Sequence, residues 1–175
     1  NSSPKFINCQ FSGNKSNFRG GAIFNTTNSH SIIMNCSLSG NSSGNNGGAV
    51  FNEMNSDPQI TNTIIWNNRA NGVTTSTSAS VFNLDGTCVP VLSFNLIANS
   101  GGSGGGWQSA MGTDGGNNID VNPQFVLAVD PATAPTTTGN LSLTTFSTAI
   151  SVGSNPAYDV YGDPLLDTDM AGNPR

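Results

Sequence analysis

The side chains here with chemical potential are thiols, carboxylates and a few cations. Cys9 and Cys36 stand 27 residues apart, each directly after an asparagine, and Thr63 fills the same slot 27 residues further on. If that interval is one layer of a stack, the two Cα atoms lie about 4.8 Å apart, inside the disulfide window of about 4.4–6.8 Å. Thr63 continues the column, so the slot reads as a place for any small side chain. A stacked pair of buried thiols is the primary reading and a disulfide the alternative. Cys88 has no partner at the repeat spacing and reads as a buried thiol. A single histidine and no CxxC pair argue against zinc.

Acid–base chemistry on a sugar polymer needs two carboxylates about 5–10 Å apart in different environments. Within the clear repeats the acids are Glu53 and Asp57, both just after GGAVFN at 47–52, and neither recurs. Arg19 and Arg69 fall in turns, away from any acidic run. The sequence therefore names no catalytic and no cofactor-binding residue. The arrangement that would favour an enzyme is convergence of three among Glu53, Asp57, Asp85, Asp114 and Asp120 with Arg19 or Arg69 in one groove. Asp163, Asp167 and Asp169 form the densest acidic cluster. DTDMAG at 167–172 looks like the start of a calcium loop but lacks the third ligand and the terminal Glu. Turn and helix-cap roles are the primary reading, and structural calcium is the one cofactor left open. TTSTS at 74–78 does not repeat from layer to layer, which argues against an ice-binding face. The sequons at Asn14 and Asn25 follow from a composition rich in Asn, Ser and Thr.

The elements that must position these groups come from a repeat. GGAIFN at 20–25 returns as GGAVFN at 47–52, while Asn8, Asn35, Asn62 and Asn14, Asn41, Asn68 keep the same 27-residue step. A fixed period of this length marks a stacked architecture. Phe6, Ile33 and Ile60 form one apolar set, and Phe11, Leu38 and Ile65 another, five positions later. In a straight strand an odd separation points the two sets to opposite faces. A bend at the Asn-Cys step brings both inward, and Asn tolerates the left-handed conformation a corner needs. Stacked Asn side chains can then bond along the axis. With "SGN" as a turn, the repeat reads as about three short strands. The expected fold is all-β, a right-handed parallel β-helix: a solenoid of about 27 residues per rung with an irregular C-terminal capping segment. The Leu pattern of leucine-rich repeats and the G-G-x-G-x-D of calcium-binding rolls are both missing.

Repeat discipline then decays. Asn83 comes 31 residues after Asn52, implying an insertion within ANGVTTSTSAS, and PVLSFNLIAN at 90–99 reads as a fourth strand pair. The division expected is rungs over 1–99, a Gly-rich excursion loop over 100–118 carrying Trp107 and Met111, and an end or cap segment over 119–175. All three belong to one structural domain. In the tail, NLSLTTF and AISVG each suggest a strand, and the rest should pack as turns over the open end. The chain opens inside a repeat, "SPKFINCQF", and so reads as a segment of something longer, with any secretion signal or anchor outside it.

Only 9% of the chain is charged, against about 25% in ordinary soluble domains, and the net charge is -5. Lys5, Lys15, Arg19, Arg69 and Arg175 are too few and too scattered for a nucleic-acid footprint. No apolar run is long enough for a membrane-spanning helix.

Two resemblances follow. GGA[IV] combined with the steps from Phe11 to Asn14, Leu38 to Asn41 and Ile65 to Asn68 resembles the β-helical repeats of chlamydial polymorphic outer-membrane proteins. NNIDVNPQFV at 117–126, GNLSL at 139–143, STAISVGSN at 147–155 and DTDMAGNPR at 167–175 resemble, in order, the C-terminal pattern of choice-of-anchor bacterial surface proteins. Asn122 and Ser151 stand where that pattern has Asp, and Thr148 where it has Pro. The resemblance implies a secreted, cell-surface β-helix whose partners are glycans, a host or neighbouring cell surface, and further rungs of its own chain. It implies no one reaction. The leading expectation is thus a non-catalytic stalk or adhesive surface. The alternative is part of a β-helix polysaccharide lyase or glycoside hydrolase, with an ice-binding β-helix as a minor third.

Overall fold

The computed structural model describes residues 2–156 of the 175-residue chain. Strand structure dominates, and it recurs with the sequence repeat. The first copy contributes β1 (Lys5–Ile7), β2 (Gln10–Ser12), β3 (Lys15–Ser16) and β4 (Ile23–Asn25). The second contributes β5 (Ile32–Met34), β6 (Ser37–Ser39), β7 (Ser42–Ser43) and β8 (Val50–Asn52). The third gives β9 (Gln59–Thr61), β10 (Ile64–Trp66), β11 (Arg69–Ala70), the helical turn α1 (Thr77–Ser80) and β12 (Val81–Asn83). After these come β13 (Val91–Ser93), β14 (Leu96–Ile97) and β15 (Thr113–Asp114).

Each strand pairs in parallel with its equivalent in the next copy. One sheet runs β1-β5-β9-β13-β15, a second β14-β10-β6-β2, a third β11-β7-β3 and a fourth β12-β8-β4. Four sheets therefore exist where the sequence pattern suggested three strands per repeat. The missed ones are β3, β7 and β11. Each is two residues long and mostly polar, so it carries no alternation to read.

The inferred bend is present. Asn8, Asn35 and Asn62 take φ of 54°, 52° and 52°, and in the fourth copy Phe94 takes the same place at 55°. Both apolar sets then face one core: Ile33, Ile60, Leu92, Leu38, Ile65 and Ile97 are all fully buried. Burying each such side chain contributes about 1.5–3 kcal/mol. The glycine pair of GGA[IV]FN has a packing cause. A Cβ on Gly48 would collide with the carbonyl oxygen of Ala79, and one on Gly21 with that of Gly48. Here the backbone of one copy lies directly on the next. The insertion before Asn83 is absorbed by α1, and Val81, Phe82 and Asn83 return to register with Val50, Phe51 and Asn52.

Residues 100–118 do not simply leave the stack. Met111 is fully buried in the core, Trp107 packs against it, and β15 pairs with β13. These residues thus extend the stack beyond β13. The described part of the tail, residues 119–156, runs along the flank. It forms β16 (Phe125–Leu127) and β17 (Asn140–Leu143), an antiparallel pair. Thr136 packs on Gly13, Val129 packs on Gly40, and Asn67 donates Nδ2 to the Val129 carbonyl at 2.8 Å. Gly13 and Gly40 lack a Cβ where the tail presses, which is why it can follow this column of turns. NLSL is a strand as expected, but AISVG is a turn, with Ser151 at φ 62°.

Candidate functional site

The asparagines build the frame from which any site projects. Asn14 and Asn41 each donate their backbone N–H and side-chain amide to Oδ1 of the next asparagine, Asn41 and Asn68 respectively, at 2.9–3.0 Å. A second ladder runs from Asn25 to Asn52 to Asn83 at 2.9 and 2.8 Å. The corner column is different. Asn35 Nδ2 is buried without a partner, and Asn62 bonds the backbone of Ser154 through both its amide and its carbonyl. The corner asparagines are thus selected for backbone conformation, and the ladders lie at other positions.

Cys9, Cys36 and Cys88 are free thiols. The Cys36 thiol donates to the carbonyls of Met34 and Phe6 at 3.1 and 3.3 Å. Burial pushes its pKa up to about 12, against the lowering effect of the Cys9 N–H that it accepts. A thiol so protonated and enclosed is not a nucleophile. Its slot continues through Thr63, Asn95 and Asn118, each accepting from the backbone N–H of the slot before it. The slot demands a hydrogen-bond acceptor as well as small size.

The acids separate into local roles. Glu53 accepts from Arg19 at 2.9 Å and from Thr26 at 3.0 Å. Arg19 in turn lies over the Phe18 and Phe51 rings, and Phe51 stacks between Phe24 and Phe82 at centroid distances of 5.4 Å. Asp57 accepts from the Val89 N–H and sits 4.0 Å from His30. Asp85 accepts from the hydroxyl and N–H of Thr87, which hold its pKa below the usual carboxylate value. Asp120 accepts from the amides of Asn99 and Gly101.

Asp114 is the most heavily engaged. Its small burial would raise its pKa, but Gly104, Ser103, Gly116 and Asn118 all donate to it and bring it down to about 2. Within the segment expected as a Gly-rich excursion loop, Gly101 and Gly104 are thereby tied to Asp120 and Asp114. Of these acids, Glu53 alone meets one of the two arginines, Arg19. The calcium candidates Asp163, Asp167 and Asp169 lie outside the described residues. Among the described residues no group of three or more acidic, His or Cys side chains could hold a metal.

One juxtaposition escaped the sequence reading. Lys15, Ser42 and Arg69 stand in register across β3, β7 and β11. They border a cavity of ≈ 210 Å³ that Ser43, Gly72 and the turn at Pro131 also line. The signal was present in the numbers: positions 15, 42 and 69 keep the repeat spacing. It was missed because a Lys, a Ser and an Arg do not look like one column.

No protein-family model, curated protein or solved structure matches this chain. No helix among the described residues is long and apolar enough to cross a membrane. What the fold and surface define is a mostly β chain of stacked parallel strands with hydrogen-bonded side-chain columns.

Proposed function

We propose that the stacked sheets are rungs of a right-handed parallel β-helix of the choice-of-anchor type. In this reading the segment serves, without catalysis, as a stalk or glycan-binding surface of a large extracellular bacterial protein. The observation that carries the reading is the division of labour among side chains. Those that recur in register are mostly builders of the stack, the Asn ladders and aliphatic columns. The carboxylates occur singly and are held by amides and hydroxyls, Asp85 within its own turn and Asp114 and Asp120 by the glycine-rich segment. A long outer surface on a stiff frame suits repeated weak contacts with a polymer or a cell surface, and further rungs can stack on the edge strands of the first copy.

The test is a glycan array combined with reducing-sugar and unsaturated-product assays on the purified chain. Binding without turnover is the expected result for an adhesive surface. No binding on any glycan leaves a passive stalk. Turnover of any polysaccharide defeats the proposal and favours the lyase or hydrolase alternative.

A further inference from the structure

We propose that Lys15 and Arg69 form a clamp for an oxyanion, the carboxylate or sulfate ester of an acidic polysaccharide; this rests on the glycan-binding reading above. Register puts Lys15, Ser42 and Arg69 on one face of a three-stranded parallel sheet, with the serine between the cations. Neighbouring strands lie about 4.8 Å apart, so the two backbones are two such steps from one another and the long side chains can close on one group from either side. Neither cation has a counter-charge among the described residues. Among the described residues Arg19 pairs with Glu53 at 2.9 Å, and His30 Nδ1 lies 4.0 Å from the Asp57 carboxylate. Two unneutralised cations on one column of a chain with net charge -5 are therefore a local exception to its overall field.

The surroundings fit an incoming anion. Ser42 lines the cavity between the two cations. Only Nη2 of Arg69, at 3.6 Å, comes within 4 Å of a Cβ built on Gly72, so the space beside this part of the guanidinium is open. The opposite wall is Pro131, Ala132 and Ala134, none of which carries a charge. At ≈ 210 Å³ the cavity is smaller than the roughly 300–1,000 Å³ of ordinary ligand pockets, and suits one charged sugar unit with the rest of its chain outside. Arg69 supplies a planar fork for two oxygens of a carboxylate or sulfate, and Lys15 a point charge.

The experiment is affinity electrophoresis and calorimetry of the purified chain with polygalacturonate, dextran sulfate and neutral dextran at low and high salt. Wild type is compared with Lys15→Gln, Arg69→Gln, Arg69→Lys and Lys5→Gln, each checked for an unchanged melting temperature. The expected result is preference for an acidic polymer, weakened by salt and by about tenfold or more in Lys15→Gln and Arg69→Gln. Arg69→Lys should fall between, and Lys5→Gln should bind as wild type. The stronger of the two acidic polymers distinguishes carboxylate from sulfate. Equal affinity of Arg69→Gln and wild type, or equal retention by neutral dextran, overturns the clamp and leaves a glycan surface standing. No retention of wild type by any of the polymers overturns the clamp and the glycan reading together.

Discussion

The backbone N–H of Cys36 donates to the hydroxyl of Thr63, one repeat further on, at 3.3 Å. The same link runs from Thr63 to Asn95 Oδ1 at 2.9 Å and from Asn95 to Asn118 Oδ1 at 3.1 Å. With the Cys36 sulfur accepting from the Cys9 N–H, three residue types thus satisfy one backbone amide per copy. Cys36→Thr should fold and melt close to wild type, because a hydroxyl can accept from the Cys9 N–H as the sulfur does. Cys36→Val has the volume but no acceptor, and should lose about 1–3 kcal/mol in urea unfolding. In the native protein Cys36 should also resist alkylation at neutral pH, since its pKa is raised to about 12.

Asn41 is the middle member of its ladder, accepting from Asn14 and donating to Asn68 and to the Phe11 carbonyl. Asn41→Ala should cost about 2–4 kcal/mol, since buried donors and acceptors are left unmade on both sides. Asn41→Asp should cost more, because its charge would face Oδ1 of Asn68. Equilibrium denaturation of both variants checks the order.

Gly48→Ala should be among the most damaging small substitutions, because the new methyl meets the Ala79 carbonyl, which is backbone and cannot step aside. Gly86→Ala is the control, with nothing within 4 Å of the added carbon. Melting temperatures of the two should differ by several degrees, with the Gly86 variant at or above wild type.

Asp114 gives a pH signature. Its folded pKa of about 2 lies below the ordinary 3.8, so ionised Asp114 favours the fold above about pH 4. That contribution is lost as pH falls from about 4 through about 2. A stability–pH curve for Asp114→Asn should lack this component while the wild-type curve keeps it. Identical acid limbs would show that the four donors around Asp114 do not hold it ionised.

What the sequence made legible was whatever repeated with its own chemistry intact. Phe6, Ile33 and Ile60 announce a column because all are apolar. Asn8, Asn35 and Asn62 announce a corner because Asn favours positive φ. The chain hid what the backbone alone specifies. Phe94 holds the same corner at φ 55°, a conformation no periodic pattern predicts for Phe. The Lys15–Ser42–Arg69 column was equally hidden, since its members share a position and no chemical type. The tail was expected as turns over the open end, where unpaired edge groups need cover, and its described part, 119–156, lies against the turns instead. Its true course depends on Gly13 and Gly40 offering bare backbone to Thr136 and Val129, contacts more than 80 residues apart in sequence.

That strap also changes how the molecule should respond to load. A stack whose layers touch only their neighbours can fray one layer at a time, as a zipper does. Val129 and Thr136 pin the turns of three successive copies from outside, through Asn67, Gly40 and Gly13. A pull on the first copy must therefore shear the strap before the end can peel. Under tension the described residues should yield as one unit in a single high-force event, the behaviour of a strut more than of an unravelling coil.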